Sequence, residues 1–145
     1  MKKIVSIMSI TILLAITLLS CENGSPDFIS TIKNWKPYDE HGITATCEEV
    51  FDKYISSCTW TQEQPEKDIK TYYHVDVRGE LESVPVLLRF SVKERNIEYE
   101  WEFFLIEIGD ESYRDEEATS MFADFFDAYE RGFATLSEYY ESLEN

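Results

Sequence analysis

The sequence predicts an α+β fold, because the spacing of its apolar residues changes twice. Apolar residues recur at helical offsets from residue 28 to 58, alternate at strand offsets from 60 to 108, and return to helical offsets from 117 to 143. The predicted architecture is two short N-terminal helices, a three- to four-stranded antiparallel meander, and a long C-terminal amphipathic helix covering the sheet.

Each element has a local cause. Ser25, Pro26 and Asp27 read as an N-cap, a first-turn proline and an acid suited to the positive end of a helix dipole. Phe28, Ile29, Ile32 and Trp35 follow on one face, and Pro37 stops the helix. After the loop "KPYDEHGIT", Thr46 and Glu49 stand at capping-box spacing. Cys47, Val50, Phe51, Tyr54, Ile55 and Cys58 then read as one face of a second helix. On a single helix Cys47 and Cys58 would lie roughly 16 Å apart, whereas a disulfide needs less than about 7 Å. The two therefore read as buried small hydrophobes, and a bridge requires that the helix break or that one cysteine lie outside it.

From Trp60 the period is two. Trp60 begins an edge strand that Pro65 ends, and Tyr73, Val75 and Val77 alternate with polar residues up to Gly79. Val84, Val86, Leu88, Phe90 and Val92 form a second apolar face, and Ile97, Tyr99, Trp101, Phe103 and Leu105 a third. The links "GELES" and "ERN" have hairpin lengths. Phe104, Ile106 and Ile108 move the apolar set to the opposite parity, which indicates a bulge or a second cover.

Phe122, Phe126, Tyr129, Phe133, Leu136, Tyr140 and Leu143 step by four and three, and Phe125 and Tyr139 widen this C-terminal stripe. Gly132 interrupts it, so a bend or two shorter helices is the alternative to one long helix. Asp115, Glu116 and Glu117 suit the helix start, and Phe125, Tyr139 and Tyr140 are the candidate interaction residues. Asp110 and Glu111 would be needed for a calcium site here, but their spacing matches no EF-hand loop.

The N-terminus bears on location. Lys2 and Lys3 precede an uncharged Ile/Leu-rich run, and the run closes on Leu18-Leu19-Ser20-Cys21. This resembles the lipobox of bacterial lipoproteins, a small residue directly before a cysteine. The resemblance implies a signal peptide over 1–20, removal between Ser20 and Cys21, and a diacylglycerol thioether on Cys21. Residues 21–27 are then the lipidated cysteine and tether, and 28–145 a single domain in the bacterial cell envelope, outside the cytoplasm. Two or more acyl chains hold a protein stably at a membrane. Glu22 does not discriminate inner from outer membrane.

Without Lys2 and Lys3, 11 basic residues face 29 acidic ones, a net charge of −18. That charge argues against nucleic acid and against a chain lying flat on anionic lipid. It reads most simply as a solvated acidic surface.

Two looser resemblances concern the body. "TCEEVFDKYISSCTW" with downstream "VDVRG" resembles a small extracytoplasmic module of uncharacterised function, over roughly residues 28–108. Its pattern falls here on Thr46, Glu49, Phe51, Asp52, Tyr54, Trp60, Val75, Val77 and Gly79. Helices followed by an antiparallel sheet are also similar to the β-lactamase-inhibitor-protein-like architecture, an analogy of fold that transfers no activity.

Catalytic signatures are missing: no GxSxG, HExxH, P-loop or dinucleotide fingerprint occurs. His41 falls in a loop and His74 on the polar face of a strand, both read as structural. The expected function is that of a non-enzymatic, lipid-anchored envelope protein that binds a protein partner, without catalytic residues, metal or cofactor. The alternative is a small-ligand binder or hydrolase with a pocket between sheet and C-terminal helix.

The Cys21 reading yields a direct test. Cys21→Ser is expected to leave an uncleaved precursor that incorporates no labelled palmitate, and normal labelling of that variant would refute it.

Overall fold

The computed structural model describes residues 26–64 and 72–145. Ser25, Cys21, the apolar run and Pro65 lie outside the described residues. The elements are α1 (Phe28–Lys33), a one-turn 3-10 helix (Asp39–His41), α2 (Cys47–Tyr54), β1 (Ile55–Glu63), β2 (Tyr72–Leu81), β3 (Val84–Arg95), β4 (Glu98–Ile108), β5 (Glu111–Arg114), α3 (Asp115–Glu130) and α4 (Leu136–Glu144). The α+β class agrees with the sequence, and the element count differs. The five strands form one antiparallel sheet in sequential order.

The N-cap of α1 is Asp27 rather than Ser25: the Asp27 carboxylate accepts hydrogen bonds from the Ser30 backbone N–H and hydroxyl. Asp27 thus caps the helix, and the hydrogen bonds from the Ser30 hydroxyl and N–H hold its carboxyl below the usual range. The Thr46–Glu49 capping box forms reciprocally. The Thr46 hydroxyl accepts from the Glu49 N–H at 3.2 Å, and the Glu49 carboxylate accepts from the Thr46 N–H at 2.8 Å.

The second helix is shorter than its apolar face suggests. It ends at Tyr54, and Ile55 passes straight into β1, so Ile55 and Cys58 belong to a strand. A bulge between Ser56 and Thr59, with Ser57 at φ 53°, follows at once. Gly79 lies inside β2 opposite this bulge. A Cβ there would meet the Ser56 carbonyl oxygen and Ile55 Cγ2, each at 2.5 Å, so glycine is required for close approach rather than to end the strand. Cys58 therefore lies outside the helix, and Cys47 and Cys58 are nonetheless free thiols. Burial raises both thiol pKa values, that of half-buried Cys58 to about 11.

Two hairpin turns need only two residues each, both at positive φ: Glu82-Ser83 at 48° and 71°, and Asn96-Ile97 at 50° and 66°. Ile97, predicted as a strand residue, is thus a turn residue. The parity change on β4 is a bulge at Phe104, because Arg89 pairs with Leu105 and Phe90 with Phe103. β5, a fifth strand beyond the predicted three to four, pairs with residues 105–108 of β4.

The C-terminal stripe is two helices. Gly132 adopts φ 78° and its N–H bonds the Tyr129 carbonyl, which terminates α3. Thr135 caps α4 through Glu138. α3 covers the sheet as predicted. Phe122 stacks on Phe103 at 4.6 Å, and Phe126 packs against Tyr38 and Phe51. Both phenylalanines are buried. α4 turns back over α3 and buries Leu136 and Tyr139.

Phe126→Ala should destabilise the domain by about 3–5 kcal/mol through the cavity it leaves, read as a lower denaturation midpoint. An unchanged midpoint would contradict the covering role of α3.

Candidate interaction surfaces

The sheet has one face under the helices and one on which no described helix lies. Alternation along β2 sends Val75 and Val77 inward and Tyr72, His74, Asp76 and Arg78 to the open side; cross-strand pairing sets Asp76 beside Arg89 and His74 beside Ser91. Asp76 is only 1% exposed although it sits on the open side. Arg89 grips it with two bonds, Nε to Oδ1 at 2.6 Å and a terminal nitrogen to Oδ2 at 2.8 Å, and Arg78 adds a third at 2.9 Å. Such fork-on-fork geometry supplies the charge-assisted bonds that a buried carboxylate needs. The same bonds raise the Arg89 pKa above its already high value.

His74 sits next to this cluster. Its Nε2 lies 2.9 Å from the Tyr72 hydroxyl, and its ring tilts against Phe104 at 5.7 Å. Partial burial first, and the Arg89 charge second, lower its pKa, against opposing pulls from Asp76 and Glu63. The outer edge of the face carries further pairs, Lys93 with Glu102 at 3.5 Å and Arg95 with Glu100 at 3.3 Å. These ion pairs join neighbouring strands.

The second surface is the α3–α4 corner, where the predicted interaction residues fall. Phe125 and Tyr139 are not available to a partner: they are 0% and 4% exposed. Phe125 meets Phe51 at 5.7 Å and Tyr54 at 6.0 Å, because the widened stripe wraps onto α2 as well as the sheet. The Tyr139 hydroxyl donates to Asp127 at 2.9 Å, and that of Tyr140 to Asp124 at 2.8 Å. Burial and these carboxylates push both phenol pKa values up. Burial also raises that of Asp124, against the two tyrosine bonds. Of the three residues only Tyr140 reaches the surface, at 36%, and Leu143 beside it is 49% exposed. The Arg131 guanidinium covers Phe133 and Tyr139 at 5.0 and 5.5 Å.

His41 ends the 3-10 turn, where Gly42 adopts φ 82°, and is exposed. Asp110 lies in the β4–β5 turn and Glu111 begins β5, where it accepts a hydrogen bond from Tyr113. Among the described residues no group of three or more His, Cys, Asp or Glu side chains is placed to hold a metal ion. Among them, too, no helix is long and apolar enough to cross a membrane. Sequence reasoning missed the Asp76–Arg89 pair because the residues lie 13 apart and only strand register joins them.

The two arginines should differ in worth. Arg89→Met leaves a buried carboxylate with one exposed partner and should cost about 3–5 kcal/mol; Arg78→Met, at a half-exposed site, about 1 kcal/mol or less. Equal costs in chemical denaturation would remove the special role of Arg89. For His74, the unfolded chain takes up protons near its ordinary value of about 6.5 while the folded chain resists. Stability should therefore fall as pH drops through and below that value, and His74→Gln should flatten this part of a melting-temperature profile.

No family model matches the chain, and neither a search of curated proteins nor one of solved structures returns a match.

Proposed function

We propose that the chain is a non-enzymatic, lipid-anchored protein of the bacterial cell envelope that binds a protein partner through its surface. The observation that carries this reading is the filling of the layer between sheet and α3. Phe51, Phe90, Phe103, Phe122, Phe125 and Phe126 occupy that layer, all buried. A ligand pocket there would need convergent polar groups, and these positions offer only rings. Binding on the outside is favoured over binding within.

The α4 face is the partner surface most consistent with the fold. Tyr140 and Leu143 are exposed apolar side chains on a helix held in place from beneath by Tyr139. The Ser137 N–H bonds Glu82 at 3.2 Å, which puts the start of α4 at the β2–β3 hairpin. Pro26 lies at the other end of the sheet, bonded to Gln62 near the end of β1. A partner at α4 would thus meet the domain well away from the tether. The acidic surface adds solubility and a preference for basic partners.

Cross-linking and pull-down from intact envelopes tests the reading. Wild-type protein should capture a defined partner, and Leu143→Asp combined with Tyr140→Ser should lose it while the melting temperature stays within a few degrees. Equal capture by the double variant would remove α4 as the docking surface.

A further inference from the structure

We propose that the tip of the β3–β4 hairpin rests on the lipid surface, with Ile97 as its apolar contact; this builds on the reading of Cys21 as a lipid anchor. Ile97 is 88% exposed, far more than the other exposed large hydrophobic residues. It also holds φ 66°, a conformation that β-branched side chains rarely adopt. Glycine in this turn position would relieve the backbone and remove the exposed apolar surface together. Ile97 therefore breaks two local rules at one place, where strain commonly marks function.

The position of the tip identifies its neighbour. Phe28 packs between Tyr73 and Tyr99, with ring centroids 5.0 and 4.8 Å away. Tyr99 is two residues from Ile97, about 7 Å along the strand. The chain therefore enters the domain beside the hairpin, and Gln62 fixes the entry point: its side-chain amide donates to the Pro26 carbonyl at 2.8 Å and accepts from the Phe28 N–H at 3.0 Å. From Cys21 to Pro26 the backbone can span at most about 18 Å. The Tyr72–Lys93 pair is the last described pair of the β2–β3 ladder at this end, and the β3–β4 hairpin continues past it by roughly 10 Å. A short tether at this pole keeps the hairpin tip and the bilayer within reach of each other.

Charge sets the kind of surface. Glu94 and Glu98 flank the turn, and the whole domain is acidic, so a zwitterionic surface is favoured over an anionic one. The Arg95 side chain, 67% exposed although it pairs with Glu100, is long enough for its outer nitrogens to reach lipid phosphates while Ile97 enters the interface.

The test uses the full lipidated chain in phosphatidylcholine vesicles with brominated acyl chains, which quench nearby indoles. Ile97→Trp should lose about half of the emission that the new indole adds, as expected for a ring settled about 5–10 Å into the interface. Val84→Trp, beside the hairpin turn at the opposite end of the sheet, should lose none. An unquenched Ile97→Trp in vesicles that carry the protein would overturn the proposal and leave the tip to a protein partner; Asn96→Trp repeats the measurement should the first variant unfold. Flotation of the vesicles reads the anchor separately, and protein that stays behind overturns the lipidation reading alone. In that case the chain, with Cys58→Ser, is coupled through Cys21 to maleimide headgroups. Quenching of Ile97→Trp there supports the hairpin contact, and its absence overturns it.

Discussion

Every layer of the domain closes on the ring of Phe122. It stacks on Phe103 of β4 and on Trp35 after α1, and meets Phe51 of α2, Phe90 of β3, Phe126 of its own helix and Tyr38 of the connecting loop. Such pairs contribute about 0.5–1.5 kcal/mol each beyond the area they bury. A side chain that touches the sheet, α2, its own helix and the segment after α1 makes their positions interdependent. The helices consequently dock as a set, although α1 has only six residues and could not hold its place alone.

Features of the fold governed by neighbours in sequence were legible, and those governed by distant contacts were not. The Thr46–Glu49 cap, the alternation of β2 and β3, and the coverage of the sheet by Phe122 and Phe126 follow from spacing within a few residues. The α2–β1 junction was hidden because Ile55 and Cys58, three apart, fit a helical face, and only the bulge after Ser56 turns both inward from one strand. β5 was hidden because Glu111–Arg114 is short and polar, and only its pairing with β4 makes it a strand. Ile97 fits an alternating pattern and is nevertheless the turn, since register fixes the loop at two residues. Phe125 and Tyr139 looked like surplus apolar surface, but α2 and α3 use them.

The open sheet face solves a different problem from the covered one. An exposed antiparallel face needs side chains that are stable in water and still fix strand register. Here a carboxylate on the second strand is clasped from the third, so Asp76 and Arg89 lock β2 to β3 on the side where no described helix packs. A slip of one residue would carry the carboxylate into the aromatic layer.

The amide of Gln62 has a mechanical consequence. It is the described side chain that ties Pro26 and Phe28 to the sheet by hydrogen bonds, one on each side of Asp27. Tension arriving through the preceding residues would load those two bonds before it reached the strand ladders. Because each bond can break singly, the entry segment would peel before the sheet shears. Phe28 would leave its slot between Tyr73 and Tyr99, lengthening the entry segment by the residues of α1 while the meander kept its shape. The sheet would thus be shielded by an entry segment that yields first.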